Sequence, residues 1–70
     1  MKNNYFGRVL KELRLNKDIS QRKLGEVFGV ANQTVSSWEK GINEPDFDTL
    51  IKIAEFFEVS VGYLLGTEEI

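Results

Sequence analysis

The chain has 70 residues, a length for one domain, and it contains neither cysteine nor histidine. Disulfides and thiolate or imidazole metal sites are therefore excluded, and we expect no cofactor and no metal. The formal net charge is −2, but residues 1–41 carry eight basic and four acidic side chains, whereas residues 42–70 carry Lys52 and seven acidic ones. The first part can present a positive surface despite the acidic total, although two ordinary solvated surfaces would show the same charges.

No apolar run approaches the roughly 18 residues of a membrane span, and the N-terminal segment lacks the apolar stretch of a signal peptide. These features predict a cytoplasmic protein. Catalysis is not expected, because histidine and cysteine are absent and the carboxylates show no paired arrangement. We expect a single non-enzymatic domain over residues 1–70, with its core at about 6–66.

Apolar side chains recur at helical spacing, and strand-like alternation is absent, so the sequence predicts an all-helical fold. The expected helices are about Tyr5–Leu15, Gln21–Phe28, Ala31–Lys40, a fourth from Phe47 to Phe57, and Val61–Leu65. The apolar stripes are Phe6, Val9, Leu10 and Leu13 in helix 1, Leu24, Val27 and Phe28, expected to be buried, in helix 2, and Val35 and Trp38 in helix 3. Helix 4 is apolar around much of its girth, as expected of a helix that is central to the core or shared with a partner. Its apolar residues are Phe47, Leu50, Ile51, Ile53, Ala54, Phe56 and Phe57.

Residues at the helix boundaries support these limits. Good N-caps and glycines suited to the left-handed position after a helix occur where the periodicity starts and stops. The expected N-caps are Ser20, Asp46 and Ser60, and the terminating glycines are Gly29, Gly41 and Gly66. Ala31 is a poor cap for helix 3, so Asn32 is an alternative cap. We also expect Trp38 to keep one edge toward solvent.

Helices 2 and 3 follow each other with almost no loop, and Gly25 stands where the two must approach closely. The other face of helix 3 carries short amide and hydroxyl groups, which are poor helix formers but good partners for base edges. Its members are Asn32, Gln33, Ser36, Ser37 and Lys40. The pattern alone leaves two interpretations open: a recognition helix in the DNA major groove, or a polar cluster at a helix start without a ligand.

The run SQRKLGEVFGVANQTVSSWEKG, followed by LIKIAEFFEVSVGYLLG, resembles the phage repressor and Cro type of helix-turn-helix domain. Regulators of the bacterial xenobiotic-response-element family share this domain. The similarity covers about residues 6 to 66 and rests on Gln21, Gly25, Gly29, Val30, the Ser37-Trp38-Glu39 run, Val59, Ser60 and the Tyr63-Leu64-Leu65 run. The resemblance implies a compact five-helix fold that binds double-stranded operator DNA as a homodimer, as a transcriptional regulator and most often a repressor.

The resemblance also implies roles for individual residues. Base contacts fall on Asn32, Gln33, Ser36 and Ser37, and phosphate contacts fall on Gln21, Arg14, Lys40 and Asn43. Arg14 and Glu39 match a pair that joins helix 1 to the end of helix 3. The segment Ile42 to Glu44 lacks the basic residues that the family often has there, which implies a weaker hold on phosphate.

Two further expectations concern partners. Phe56, Val61 and Leu65 are candidates for a dimer patch, because helices 4 and 5 hold more apolar residues than one small core needs, but all three can equally belong to the core. The alternative function is a non-catalytic protein-interaction module on the same fold. The acidic second part of the chain favours that alternative, and the uncharged polar face of helix 3 opposes it.

Overall fold

The computed structural model describes residues 4–67, so the expected domain limits of 1–70 reach beyond the described residues. Within that range the chain forms five helices and no strand, which confirms the all-helical fold class. The helices are α1 Tyr5–Asn16, α2 Gln21–Phe28, α3 Asn32–Lys40, α4 Phe47–Phe57 and α5 Val61–Leu65. No helix in residues 4–67 is long and apolar enough to cross a membrane.

The helix boundaries follow from local hydrogen bonds. The side chains of Ser20, Asp46 and Ser60 accept bonds from backbone N–H groups three residues later, at 3.0, 2.8 and 2.9 Å, which confirms all three as N-caps. Ala31 is the N-cap of α3 and Asn32 is its first helical residue, without any side-chain cap bond. The three expected glycines follow α2, α3 and α5 with φ between 72° and 78°.

The core lies between all five helices and joins apolar side chains of both parts of the chain. Trp38 is only 4% exposed, so the expected solvent-facing edge is nearly absent. Val27 was wrongly expected to be buried and is 41% exposed, because contacts through Leu24 and Gly25 turn the other side of α2 toward its neighbours. Phe47 lies outside the core at 70% exposed, because the buried residues of α4 begin with Leu50.

Two glycines let other helices approach α3 at backbone distance. A Cβ atom on Gly25 would lie 2.5 Å from the carbonyl oxygen of Val30, which confirms the close approach at the turn between α2 and α3. A Cβ atom on Gly7 of α1 would lie 2.5 Å from the carbonyl oxygen of Glu39 and 2.7 Å from that of Trp38. The helix expected to read DNA is therefore contacted closely by α2 just before its start and by α1 near its end.

Candidate nucleic-acid interface

The third helix has one face in the core and one face outside. Val35 and Trp38 are buried, which fixes how the helix is rotated about its axis. The described residues of its other face are exposed at Asn32, Gln33 and Lys40 and half-buried at Ser36 and Ser37. The structure thus brings the expected base-contacting side chains onto one side of α3, with the two serines at the border of the buried face.

A buried ion pair ties α1 to the end of α3. The Arg14 Nε donates to Glu39 Oε2 at 2.6 Å, and a terminal nitrogen of Arg14 donates to Glu39 Oε1 at 3.2 Å. A second terminal nitrogen donates to the carbonyl of Ile19 at 2.9 Å. An acid near a helix C-terminus is disfavoured by the helix dipole, and this two-point pairing with arginine offsets that cost.

Gln21 joins the same network at the first position of α2. Its Nε2 donates to Glu39 Oε1 at 3.0 Å, while the side chain stays partly exposed. An amide nitrogen carries two hydrogens, so this bond orients the group without using all of its donors. The N-terminus of an α-helix favours anions, so the residue stands where a phosphate could be held.

Arg14 is placed differently from the other expected phosphate contacts. Its side chain is 9% exposed, and three of its N–H groups already bond within the protein. This geometry favours its role in holding Glu39 over a direct contact with phosphate. Lys40 and Asn43 are exposed at and after the end of α3, and the backbone N–H of Asn43 donates to the carbonyl of Ser37 at 3.4 Å.

The three residues of the expected dimer patch pack against the apolar core. Phe56 packs edge-on against Phe28, with ring centres 5.7 Å apart, and against Phe57, with ring centres 5.0 Å apart. Val61 and Leu65 are half-buried against the same core. Each of the three therefore contributes to the core and also keeps part of its surface exposed.

Comparison with known proteins settles the family. The sequence model of the helix-turn-helix family matches residues 10–64. The chain belongs to that family. A solved structure of the P22 c2 repressor protein in complex with a synthetic operator matches this helix-turn-helix protein with a TM-score of 0.83 and 30% sequence identity, over 90% of this chain and 96% of that one.

Relatives known from sequence agree with this assignment. The helix-turn-helix protein is 36% identical over 65 residues to the HTH-type transcriptional regulator ImmR of Bacillus subtilis, across 93% of this chain and 51% of the relative. It is 30% identical over 64 residues to the cryptic phage CTXphi transcriptional repressor RstR of Vibrio cholerae, across 91% and 58%. The expected likeness to phage repressors is confirmed, and the chain spans about half the length of these curated relatives.

Two residues near this interface were missed by sequence reasoning. Gly7 stands inside the amphipathic pattern of helix 1, and an isolated glycine there is a signal of close backbone approach that the sequence did carry. Asn4 donates to the backbone of Glu39, 35 residues away, and no local pattern in the sequence of this helix-turn-helix protein marks that contact.

Proposed function

We propose that this helix-turn-helix protein binds double-stranded DNA at specific sequences and regulates transcription, with α3 lying in the major groove. The observation that carries the proposal is that α3 has one face buried in the core and one face exposed. Val35 and Trp38 hold the helix to the core while Asn32 and Gln33 stand exposed at its first turn. Amide side chains at that place can pair with adenine edges, and the matched P22 c2 structure contains operator DNA.

Within this function the side chains fall into two groups, those that contact bases and those that contact phosphates. Asn32, Gln33, Ser36 and Ser37 contact base edges, because they share the free side of α3. Gln21, Lys40 and Asn43 contact phosphates, since they lie at the helix ends beside that surface, and Arg14 acts mainly by holding Glu39. Contacts to phosphate fix the position of the protein on DNA, whereas contacts to bases carry the sequence information.

We further propose that the protein represses transcription, as the names of the P22 c2 and CTXphi relatives suggest, and that it acts as a homodimer on DNA. A single small module buries only about 600–1,000 Å² on DNA, which rarely gives specific affinity alone. The exposed parts of Phe56, Val61 and Leu65 form the dimer patch. Sedimentation of the protein with a selected operator tests this, and a single protomer bound to a non-repeated site would contradict it.

The central experiment compares alanine variants of two glutamines. An operator is first selected from a random duplex library, and affinities are then measured for it, for single-base variants and for random DNA. Gln33→Ala should lose about 1–3 kcal/mol at one base-pair position and leave binding to random DNA nearly unchanged. Gln21→Ala should weaken binding to all duplexes, random DNA included, because phosphates carry no direct sequence information. The loss of its single bond to Glu39 should lower discrimination much less than Gln33→Ala does.

Salt dependence supplies the control. Lys40→Ala should flatten the slope of log affinity against log salt by about one unit, because it removes a cation that displaces a counterion. Gln21→Ala should leave the slope unchanged, since its side chain is neutral. Equal losses for Gln33→Ala on all duplexes would contradict base reading by α3. Wild-type protein without salt-sensitive DNA binding would favour the protein-interaction module instead.

A further inference from the structure

The residue before α1 makes a contact that its position does not call for. Asn4 is the N-cap of α1, where asparagine normally accepts a bond from the first turn of its own helix. It makes no such bond, and its backbone is left-handed, with φ 54° and ψ 31°. Its Nδ2 instead donates to the carbonyl oxygen of Glu39 in α3, at 3.1 Å.

This contact adds to the cap at the C-terminal end of α3. The last carbonyls of a helix lack partners within it and must be satisfied from outside. The carbonyl of Ser37 accepts from the N–H of Ile42 at 2.9 Å, and the carbonyl of Trp38 accepts from the N–H of Gly41 at 3.2 Å. The next carbonyl, that of Glu39, is taken by the side chain of Asn4.

Two glycines make room for this arrangement. Gly7 brings the first turn of α1 against the carbonyl oxygens at the end of α3, where no Cβ atom fits. A Cβ atom on Gly41 would lie 2.6 Å from the Oδ1 atom of Asn4. That Oδ1 atom is buried and has no hydrogen-bond partner among the described residues, so the bond from Nδ2 to Glu39 sets the orientation of the amide. The reverse orientation would place two oxygens against each other.

We propose that Asn4 is a positioning residue for the recognition helix. It holds the backbone of Glu39, while Arg14 and Gln21 hold the carboxylate of the same residue. Glu39 is thereby fixed at both its main chain and its side chain, and the end of α3 cannot shift relative to α1. The inference rests on the proposed DNA-binding function and adds that discrimination between sequences depends on a side chain remote from the bases.

Two variants separate the side-chain bond from the backbone conformation. Asn4→Gly keeps the left-handed conformation without strain and removes the donor. Asn4→Asp keeps the shape of the side chain but places a carboxylate oxygen against the carbonyl of Glu39. Both should lower operator affinity roughly two- to tenfold, the range that one net hydrogen bond corresponds to. The ratio of operator to random-DNA affinity should fall, most for Asn4→Asp.

Amide exchange in the free protein reports on the same contact without DNA. The N–H groups of Gly41 and Ile42, which close the end of α3, should exchange faster in both variants by a factor similar to the affinity loss. Thermal stability should not be lowest for Asn4→Asp, although its affinity ratio is. The reason is that its new acid lies at the N-terminus of α1, where the helix dipole favours it. A merely structural role would instead make affinity follow stability.

Val9→Ala is the matched control on the same helix. Val9 lines the groove between α1 and α5 beside Tyr63, so its truncation lowers global stability from the other side of α1. It should leave the ratio of operator to random-DNA affinity at the wild-type value. Wild-type ratios and wild-type exchange rates for both Asn4 variants would overturn the proposal. If wild-type protein prefers no duplex at all, the proposed function fails, and the exchange rates still decide whether Asn4 holds α3.

Discussion

The end of α3 and the helices of the second part of the chain are held by different means. The end of α3 is held by directional polar contacts, which converge on Glu39 from Arg14, Gln21 and Asn4. The second part, α4 and α5, contributes apolar side chains to the core: Leu50, Ile53, Ala54, Phe57 and Leu64. Apolar burial depends on area rather than direction, whereas hydrogen bonds depend steeply on angle. The helix proposed to read DNA is thus the one whose end is held by oriented contacts.

The largest effect is expected from truncating Trp38, a core side chain of α3. Trp38→Ala should lower the free energy of unfolding by about 3–5 kcal/mol, as truncation of a large buried aromatic side chain does. This loss is a large fraction of the free energy of unfolding of a small domain. Urea unfolding followed by circular dichroism measures it. Phe47→Ala is the control, because this side chain is 70% exposed and should change stability by less than about 0.5 kcal/mol.

A sharper test addresses the polar contacts alone. Glu39→Ala should lower the free energy of unfolding by about 3 kcal/mol, because it leaves the guanidinium of Arg14 buried without its carboxylate. Replacing both partners with methionine removes the unpaired charge and should restore most of that stability. Urea unfolding of the single and double variants measures both effects.

The variant with methionine at both Arg14 and Glu39 should discriminate poorly between operator and random DNA, although its stability is restored. Methionine packs without preferred direction, so it can fill the space of the pair but cannot fix the angle of α3 as the bonds do. A double variant with both wild-type stability and wild-type discrimination would remove the distinction between the two parts. A double variant as unstable as Glu39→Ala would show that the pair acts mainly through stability.

Local chemistry made most of the fold predictable from the sequence. Ser20, Asp46 and Ser60 marked helix starts because a short polar side chain satisfies the first free N–H groups of a helix. The starts of α2, α4 and α5 were predicted correctly for this reason. Val27 was misplaced because periodicity marks an apolar stripe without fixing its centre, which the contact of Gly25 with the turn before α3 decides.

The candidate site was predictable only in part, and the limit was sequence distance. The polar face of α3 could be seen in the sequence because its residues are neighbours on one helix. The pairing of Arg14 with Glu39 came from the family resemblance and not from spacing. The bond from Asn4 to the backbone of Glu39 has no counterpart in the sequence, because any residue at position 39 offers the same carbonyl oxygen.

The ends of α3 and α4 offer a comparison of smaller effect. Gly41 follows α3 in the left-handed conformation without strain, but Glu58 follows α4 with φ 58°. The left-handed conformation costs a residue with a side chain roughly 1–2 kcal/mol. Glycine avoids this cost but loses more conformational entropy on folding, which offsets part of the benefit. Glu58→Gly should therefore raise the free energy of unfolding by about 0.5–1 kcal/mol in thermal or urea unfolding. Gly41→Ala should destabilise, and a stabilising result there would contradict the argument.

The smallest expected effect concerns pH and the exposed acid at the start of α4. Hydrogen bonds from Thr49, through its side chain and its backbone N–H, lower the pKa of Asp46 below its ordinary value, and Lys52 adds a weaker attraction. A carboxyl group whose pKa is lower in the folded state than in the unfolded state stabilises the fold at pH values above its unfolded pKa. That contribution is lost as the pH falls through the pKa of the folded state. The window therefore lies at about pH 4 and below. Asp46→Asn keeps a good cap without a titrating group, so the stability difference between wild type and variant should shrink as the pH falls from 7 to 3. Thermal unfolding at four or five pH values measures this difference. A constant difference over the whole range would show that the charge of Asp46 adds nothing to its cap, and that the part of the chain held by apolar packing has no pH-sensitive contact at this helix start.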